Sequence, residues 1–277
     1  MKDECAVTPI AEYIGLRPKM YSILKANNGE IQKSLGRSRM SVVEDHDMGG
    51  NSISFLEVDG FRYPIVDPEI VKGMSQLKVK DDDILLLAYP KSGTHWLWEI
   101  TSMLLQGKAE TIPHWKSKLM VELQSQEVID EFPGSPRVLN THVRVLHYFA
   151  PLIVEAGVRV CISQAVEFFS LIGADYGSWF DYVLEWEKDI EAQQDQHPIH
   201  IMYYEDMKQN PLIEIRKLAV FLGVHADDSL YSPVAEKCQV GDWQNWLTPE
   251  QNEIFDKVYQ EKMKDSKFKD KIRFTLT

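Results

Sequence analysis

The sequence predicts an α/β fold, a central and mostly parallel sheet flanked by helices. Three observations carry that expectation. From about residue 55 onward, apolar runs of strand length alternate with helical stretches. Two of those helices open on a cap residue followed by proline, Asn210 with Pro211 and Thr248 with Pro249. The run over residues 83–89 is apolar along its length between polar flanks, the pattern of a strand covered on both faces.

The elements follow in order. Residues 1–52 are polar and punctuated by Asn-Gly and Gly-Gly, with no sustained period, and are expected to be poorly ordered or foreign to the domain at 53–277. The strand at 83–89 leads through a short loop into a helix from Thr94. There Trp96, Leu97, Ile100, Leu104 and Leu105 recur at helical spacing and Gly107 is the stop. Residues 137–142 and 158–163 read as further strands. Ser178 caps a helix with Trp179, Tyr182, Val183 and Trp186 along one face. Another strand covers 199–204. Asn210, Pro211, the stripe Leu212, Ile215, Leu218 and Leu222, and the stop Gly223 define the next helix. Thr248 and Gln251 form a capping box for the last one, and the basic stretch after it reads as a solvated helix end and tail.

A chain of 277 residues can bury a sizeable core. Its formal net charge of −12 argues against a general nucleic-acid or anionic-membrane binder. The three cysteines, Cys5, Cys161 and Cys238, are far apart, which fits neither a disulfide framework nor a zinc site. With no apolar signal core and no run of membrane-spanning length, the expected location is the cytoplasm.

The loop after the first apolar strand holds Lys91, Ser92, Gly93 and Thr94. A strand that feeds a helix through a short loop leaves free backbone N–H groups at the helix start, and these with the helix dipole favour an anion. Gly93 lets the backbone come close, Ser92 and Thr94 add hydroxyls, and Lys91 adds a positive charge. The string is not a P-loop, because the lysine precedes the single glycine. A strand, loop and helix with one lysine and one glycine is common, so geometry alone leaves a phosphate site and a plain structural junction both open.

Five stretches in order extend that reading. "YPKSGTHW" resembles the "YPKSGTTW" signature of cytosolic sulfotransferases, with His95 for a threonine. "PRVLNTHV", "YGSWFDYVLEWE", "IMYYEDMKQNPLIEIRKLAVFLG" and "GDWQNWLTPEQNEIFDKVYQEKM" resemble later motifs of the same family. The matches span residues 55–277. Within the N-terminal segment, "AEYIGLRPKMYSIL" resembles instead a tail of polymerases carried by mobile elements, which implies a fused exon or a gene-model artefact rather than a working part.

The resemblance implies a fold like that of P-loop nucleotide kinases and a metal-free reaction. Such enzymes transfer a sulfuryl group from 3′-phosphoadenosine 5′-phosphosulfate (PAPS) to a hydroxyl or amine of a small molecule: a phenol, an alcohol or an amine. By position, Lys91 would neutralise charge on the leaving 5′-phosphate, and backbone amides of Ser92, Gly93, Thr94, His95 and Trp96 would cradle it. His142 would be the general base, for which an imidazole suits near neutrality. Tyr204 would lie near the adenine, and Lys237 matches a lysine of the cofactor site. The remaining histidines, and the side chain of His95, are expected to be surface or core positions.

The chain also departs from the family pattern. The family turn "RNPKD" and the helix after it, whose arginine and serine hold the 3′-phosphate, are missing between 163 and 165 by this reading. A second stretch is missing after "FLGVHADD". Glu236 stands for the arginine before Lys237, Cys238 for the glycine after it, and Asn140 for the lysine of "KTH". A hydrogen bond to a charged group is worth about 1.5–3 kcal/mol, so two or three lost contacts to the 3′-phosphate cost about 3–9 kcal/mol. That is at least about 10² in affinity. Two functions follow, an impaired sulfotransferase or a non-catalytic relative that binds a ligand or partner. The family dimerises through a "KxxxTVxxxE" stretch. Thr248 and Glu253 match it while Gln244 and Pro249 depart, which argues against a homodimer by that route.

Overall fold

The structure is a computed structural model that describes residues 40–46, 52–112, 115–143, 159–164, 176–193, 199–237 and 257–269. Residues 1–39, the segment at 165–175 that precedes Tyr176, and the 241–254 stretch with Gln244, Thr248, Pro249 and Glu253 lie outside them. The chain divides into two compact units, Met1–Val71 and Lys72–Thr277.

The first unit holds a three-stranded antiparallel meander, β1 (Met40–His46), β2 (Ser52–Val58) and β3 (Phe61–Tyr63). Asp59 and Gly60 join β2 to β3 with φ of 50° and 86°, so Val58 faces Phe61 across a two-residue turn. Two left-handed residues in succession define the type I′ hairpin, for which Asp-Gly is a strong signal. Arg62 on β3 pairs with Asp45 on β1. The sequence reading assigned no element to 40–46. Its alternating pattern is short, and the strand draws its stability from pairing along all seven residues with β2.

The second unit carries a four-stranded parallel sheet in the order β5-β4-β6-β7, flanked by helices. Its strands are β4 (Ile84–Ala88), β5 (Val138–Thr141), β6 (Arg159–Gln164) and β7 (Ile199–Tyr203). Every residue of β4 is buried, as its uninterrupted apolar run predicts for a central strand. Asp83 before β4 and Arg137 before β5 form a fully buried ion pair, 2.6 Å between Arg137 Nη2 and Asp83 Oδ2, and register these two strands at their N-terminal ends.

Helix α1 (Pro68–Gly73) precedes a single 3₁₀ turn over Met74–Gln76. Helix α2 (Thr94–Gln106) follows β4, with Gly107 at φ 68° closing it as expected. Of the stripe read from the sequence Leu97, Ile100 and Leu104 are buried while Trp96 and Leu105 are half-buried, and Trp98, Thr101, Ser102 and Met103 are buried as well. The reason is its position. One side packs on β4 and β5, and another on α7 (Pro211–Leu222) and α8 (Asp228–Lys237). Trp98 Nε1 donates to the Val138 carbonyl at 2.8 Å and pins α2 to β5.

Short helices α3 (Trp115–Lys118) and α4 (Gln126–Asp130) lead to β5. Between them residues 119–121 run parallel along the free edge of β5, with Asn140 N–H to Leu119 O at 2.9 Å and Val121 N–H to Asn140 O at 3.0 Å. Helix α5 (Trp179–Gln193) links β6 to β7, and α6 (Tyr204–Gln209) follows β7 directly. Gly223 ends α7 at φ 73°. Residues 257–262 are helical with Tyr259 buried, and Met263 and Phe268 are buried where a solvated tail was expected. Glu187 on α5 accepts from the Ser266 hydroxyl at 2.7 Å and holds that segment down.

Candidate active site

In the order β5-β4-β6-β7 the chain leaves β4 for one side and later returns to the other. The carboxyl end of β4 is therefore a switch point, where open parallel sheets bind ligands. The loop Tyr89–Gly93 stands there. Ser92 N–H donates to Tyr89 O at 3.0 Å, closing a turn with Pro90 and Lys91 at its centre. Lys91 takes φ 67°, which is the type II turn conformation normally given to glycine. A lysine held left-handed stores about 1–2 kcal/mol of strain, and such strain gathers at functional positions.

Gly93 follows at φ 82° and opens α2 without a side-chain cap. The first helical bond of the turn runs from Leu97 N–H to Gly93 O at 2.9 Å. The amides of Thr94, His95 and Trp96 therefore have no acceptor within the helix. Ser92 and Thr94 are buried at 1% and 4% exposure, and the Thr94 hydroxyl has no hydrogen-bond partner among the described residues. Uncapped amides, an unmatched hydroxyl and a lysine on a left-handed bend form a cradle suited to an oxyanion.

His142 follows β5 and meets the same place. Its Nδ1 lies 2.7 Å from the carbonyl of Ala88, the last residue of β4. A carbonyl only accepts, so Nδ1 carries the proton and Nε2 keeps its lone pair. Burial pushes the imidazole down to about 4, the Ala88 bond opposes that, and Lys116 adds to it. The ring is therefore neutral at pH 7.

Behind His142 stands Glu122, which the sequence reading missed. It is fully buried, and its Oε1 accepts the His142 backbone N–H at 2.7 Å and the Tyr176 hydroxyl at 3.2 Å. Burial raises its pKa, and these hydrogen bonds work against that rise. The signal was an acid closing the apolar run Leu119, Met120, Val121. Tyr176 also sets its ring edge against His142, with centroids 5.6 Å apart. Tyr176 and Gly177 are left-handed at φ 69° and 81°, and the Tyr89 hydroxyl donates to Gly177 O at 2.7 Å, tying that corner to the loop after β4.

Two other expected residues gather near the loop. Tyr204, at the start of α6, packs edge-on to Trp96 with centroids 5.2 Å apart. Lys237 ends α8, and its charge acts on Glu99 of α2, whose pKa burial raises and Lys237 lowers. The exposed His95 pairs with the same Glu99, at 3.7 Å. No group of three or more metal-ligating side chains occurs among the described residues, and none of their helices is long and apolar enough to cross a membrane.

The family described as "Sulfotransferase domain" matches residues 81–156, 146–235 and 228–267. The chain belongs to that family. Among curated sulfotransferases, a 3-alpha-hydroxysteroid sulfotransferase of Cavia porcellus is 27% identical over 271 residues, covering 74% of this chain and 93% of the relative. Sulfotransferase 1B1 of Mus musculus is 29% identical over 255 residues, covering 65% and 82%. The fold matches solved sulfotransferases. A mouse sulfotransferase, SULT7A1, complexed with PAP superposes with a TM-score of 0.58 at 23% identity, over 76% of this chain and 95% of that one. A putative steroid sulphotransferase of Arabidopsis thaliana gives 0.61 at 21% identity, over 85% and 93%. The guinea-pig alignment also measures what this sulfotransferase chain lacks. As 74% of 277 residues is about 205, the 271 aligned positions include about 66 with no counterpart here.

Proposed function

We propose that this sulfotransferase-family chain moves a sulfuryl group from PAPS to a hydroxyl or amine of a small molecule, with weakened hold on the 3′-phosphate of the donor. When bound, PAPS supplies the sulfuryl group and a phosphate leaving group. The uncapped amides of α2, the unmatched Thr94 hydroxyl and Lys91 suit its 5′-phosphate. Trp96 and Tyr204 offer an aromatic pair for the adenine.

His142 Nε2 takes the proton of the acceptor as its oxygen or nitrogen bonds to sulfur. The bond from sulfur to the phosphate oxygen breaks, and Lys91 neutralises the electron pair left on that oxygen. The single observation that carries this reading is the 2.7 Å bond from His142 Nδ1 to Ala88 O. It leaves Nε2 as the basic nitrogen and ties the base to the strand that ends in the anion loop. Acceptor chemistry draws support from relatives named as hydroxysteroid sulfotransferases.

The weakened donor site rests on the missing positions and on Glu236 and Cys238, which stand for the family's arginine and glycine on either side of Lys237. The same observations favour a second reading, a relative that binds a ligand without turnover. Two measurements separate the readings. Calorimetry should find that 3′-phosphoadenosine 5′-phosphate binds no more than about tenfold tighter than adenosine 5′-monophosphate, or about 1.4 kcal/mol. A much larger ratio would mean that the 3′ contacts are intact. Radiolabelled sulfate should pass from PAPS to a panel of phenols, alcohols and amines, and His142→Ala should abolish the transfer. Turnover that survives this substitution removes His142 from the mechanism, and no transfer by the wild-type chain favours the binding protein.

A further inference from the structure

The parallel seating of residues 119–121 on β5 stops one bond short. Asn140 N–H donates to Leu119 O and Val121 N–H donates to Asn140 O, on either side of the bridge between Met120 and Asn140. Parallel ladder bonds are evenly spaced, so the next of the series would run from His142 N–H to the Val121 carbonyl. It runs instead to the side chain of the following residue, Glu122 Oε1, at 2.7 Å. A carboxylate has replaced a main-chain acceptor at the residue that carries the base.

The exchange lets one acceptor hold two groups. The same Oε1 receives the Tyr176 hydroxyl at 3.2 Å, from 54 positions along the chain. Tyr176 is left-handed at φ 69°, which a bulky residue rarely adopts unless its surroundings impose it, and its ring edge meets His142. One oxygen therefore binds both the main chain of His142 and the ring that packs on its imidazole. Nδ1–H to Ala88 O is the third hold on that imidazole. Glu122, Thr141 and Val143 are all buried, so bulk water does not compete for these bonds. The other oxygen of the carboxyl, Oε2, is buried with no hydrogen-bond partner among the described residues. A buried carboxyl kept for stability alone would have both oxygens matched.

We propose that Glu122 is the positioning residue of the base: its Oε1 fixes the His142 main chain and the Tyr176 ring together, and so keeps Nδ1 on Ala88 O and leaves Nε2 for the acceptor proton. The proposal rests on the sulfuryl-transfer reading above and adds a residue which that reading does not use. What the site needs from Glu122 is an acceptor atom at this point. If His142 turns about its main chain, the Nδ1 bond breaks and either ring nitrogen can carry the proton. In the other tautomer Nε2 presents an N–H where the reaction needs a lone pair.

The test compares Glu122→Gln, which keeps an acceptor oxygen, with Glu122→Met, which keeps the volume and removes it. Two readouts need no turnover. At pH 7 the nitrogen shifts of the His142 ring, assigned with a His142→Asn variant, report the tautomer, and the His142 amide proton reports the bond to Glu122. Wild type and Glu122→Gln should show the Nδ1–H tautomer alone, and Glu122→Met a mixture. The amide proton should move in both variants, and further in Glu122→Met. For transfer from PAPS, kcat should fall at least about tenfold in Glu122→Met, since displacing a reacting group by about 1 Å costs up to about 10². In Glu122→Gln it should stay within about threefold, and in both variants the affinity for adenosine 5′-monophosphate should change less than about threefold, because the anion loop is untouched. An amide resonance unmoved in Glu122→Gln overturns the contact, and this arm stands even if Glu122→Met does not fold. A single Nδ1–H tautomer in folded Glu122→Met overturns the positioning role. A Glu122→Gln chain as slow as Glu122→Met would mean that the carboxyl acts by its charge or its proton, and the proposal fails. Tyr176→Phe keeps the ring and loses the hydroxyl. It should leave the His142 amide resonance in place and lower kcat severalfold, and a wild-type kcat there overturns the shared hold. A wild-type chain silent in transfer defeats the parent reading, while the tautomer comparison still decides whether Glu122 holds the His142 ring.

Discussion

Replacing His142 by asparagine makes the burial of the base measurable. The asparagine amide can keep the bond to Ala88 O while removing the titrating ring. In the folded chain the imidazole falls from 6.5 to about 4, chiefly through burial. The unfolded chain therefore binds the proton first as pH falls, and stability rises with pH between those two values. The contribution is complete above about pH 6.5, is lost as pH drops toward 4, and is flat below that. A fall of about 2.5 in pKa at about 1.4 kcal/mol each amounts to about 3 kcal/mol. Urea denaturation of wild type and His142→Asn, followed by tryptophan fluorescence from pH 4 to 7.5, isolates this group because the other titrations cancel. The wild type should lose about 3 kcal/mol relative to the variant across that range. The kcat/KM of transfer should keep its plateau well below pH 6.5, with its acid limb near pH 4. A stability difference that stays constant with pH would mean that the ring titrates normally and is not held as a buried neutral base.

Two further predictions concern the loop and its support. Lys91→Gly relieves about 1–2 kcal/mol of left-handed strain against about 0.5–1 kcal/mol of added backbone entropy. The melting temperature should stay level or rise while adenosine 5′-monophosphate affinity falls. A melting point several degrees lower would show that the bend is not strained. Arg137→Met leaves Asp83 charged and buried, at a cost of about 3–5 kcal/mol by denaturation. Arg137 also bonds the exposed Asp130 and the Lys78 carbonyl, yet Arg137→Met with Asp83→Leu should recover most of that, and a double variant as weak as the single would show that the buried Asp83 charge is not the source of the cost.

Much of the second unit was legible because its signals are local. The run at 84–88 has a strand's length and continuous apolarity, and nothing distant is needed to read it. The stops at Gly107 and Gly223 are written in single residues, since a left-handed helix exit costs glycine little. The loop string and the THV context marked Lys91 and His142 in the same way. The Asp-Gly hairpin at 59–60 is equally local and was overlooked.

Long-range residues were less accessible. Glu122 reads in the sequence as one acid after an apolar run. Only the parallel seating of 119–121 on β5 brings its carboxylate to the His142 amide. The wide burial of α2 depends on α7 and α8, more than a hundred residues downstream. The tail containing Met263 and Phe268 reads as solvated until Glu187 on α5 is found holding it.

Backbone-local chemistry was therefore set by the amino-acid order: where the sheet's central strand lies, where helices start and stop, and that an anion suits the bend at Lys91. Three-dimensional packing decided the rest. Pairing across sequence separations of 20 to 54 residues selected the protonated nitrogen of His142 and set a carboxylate behind it. The physical reason is that cap, turn and period energies act over a few neighbouring residues. Hydrogen bonds and charges act through space, between groups that adjoin only once the strands have assembled.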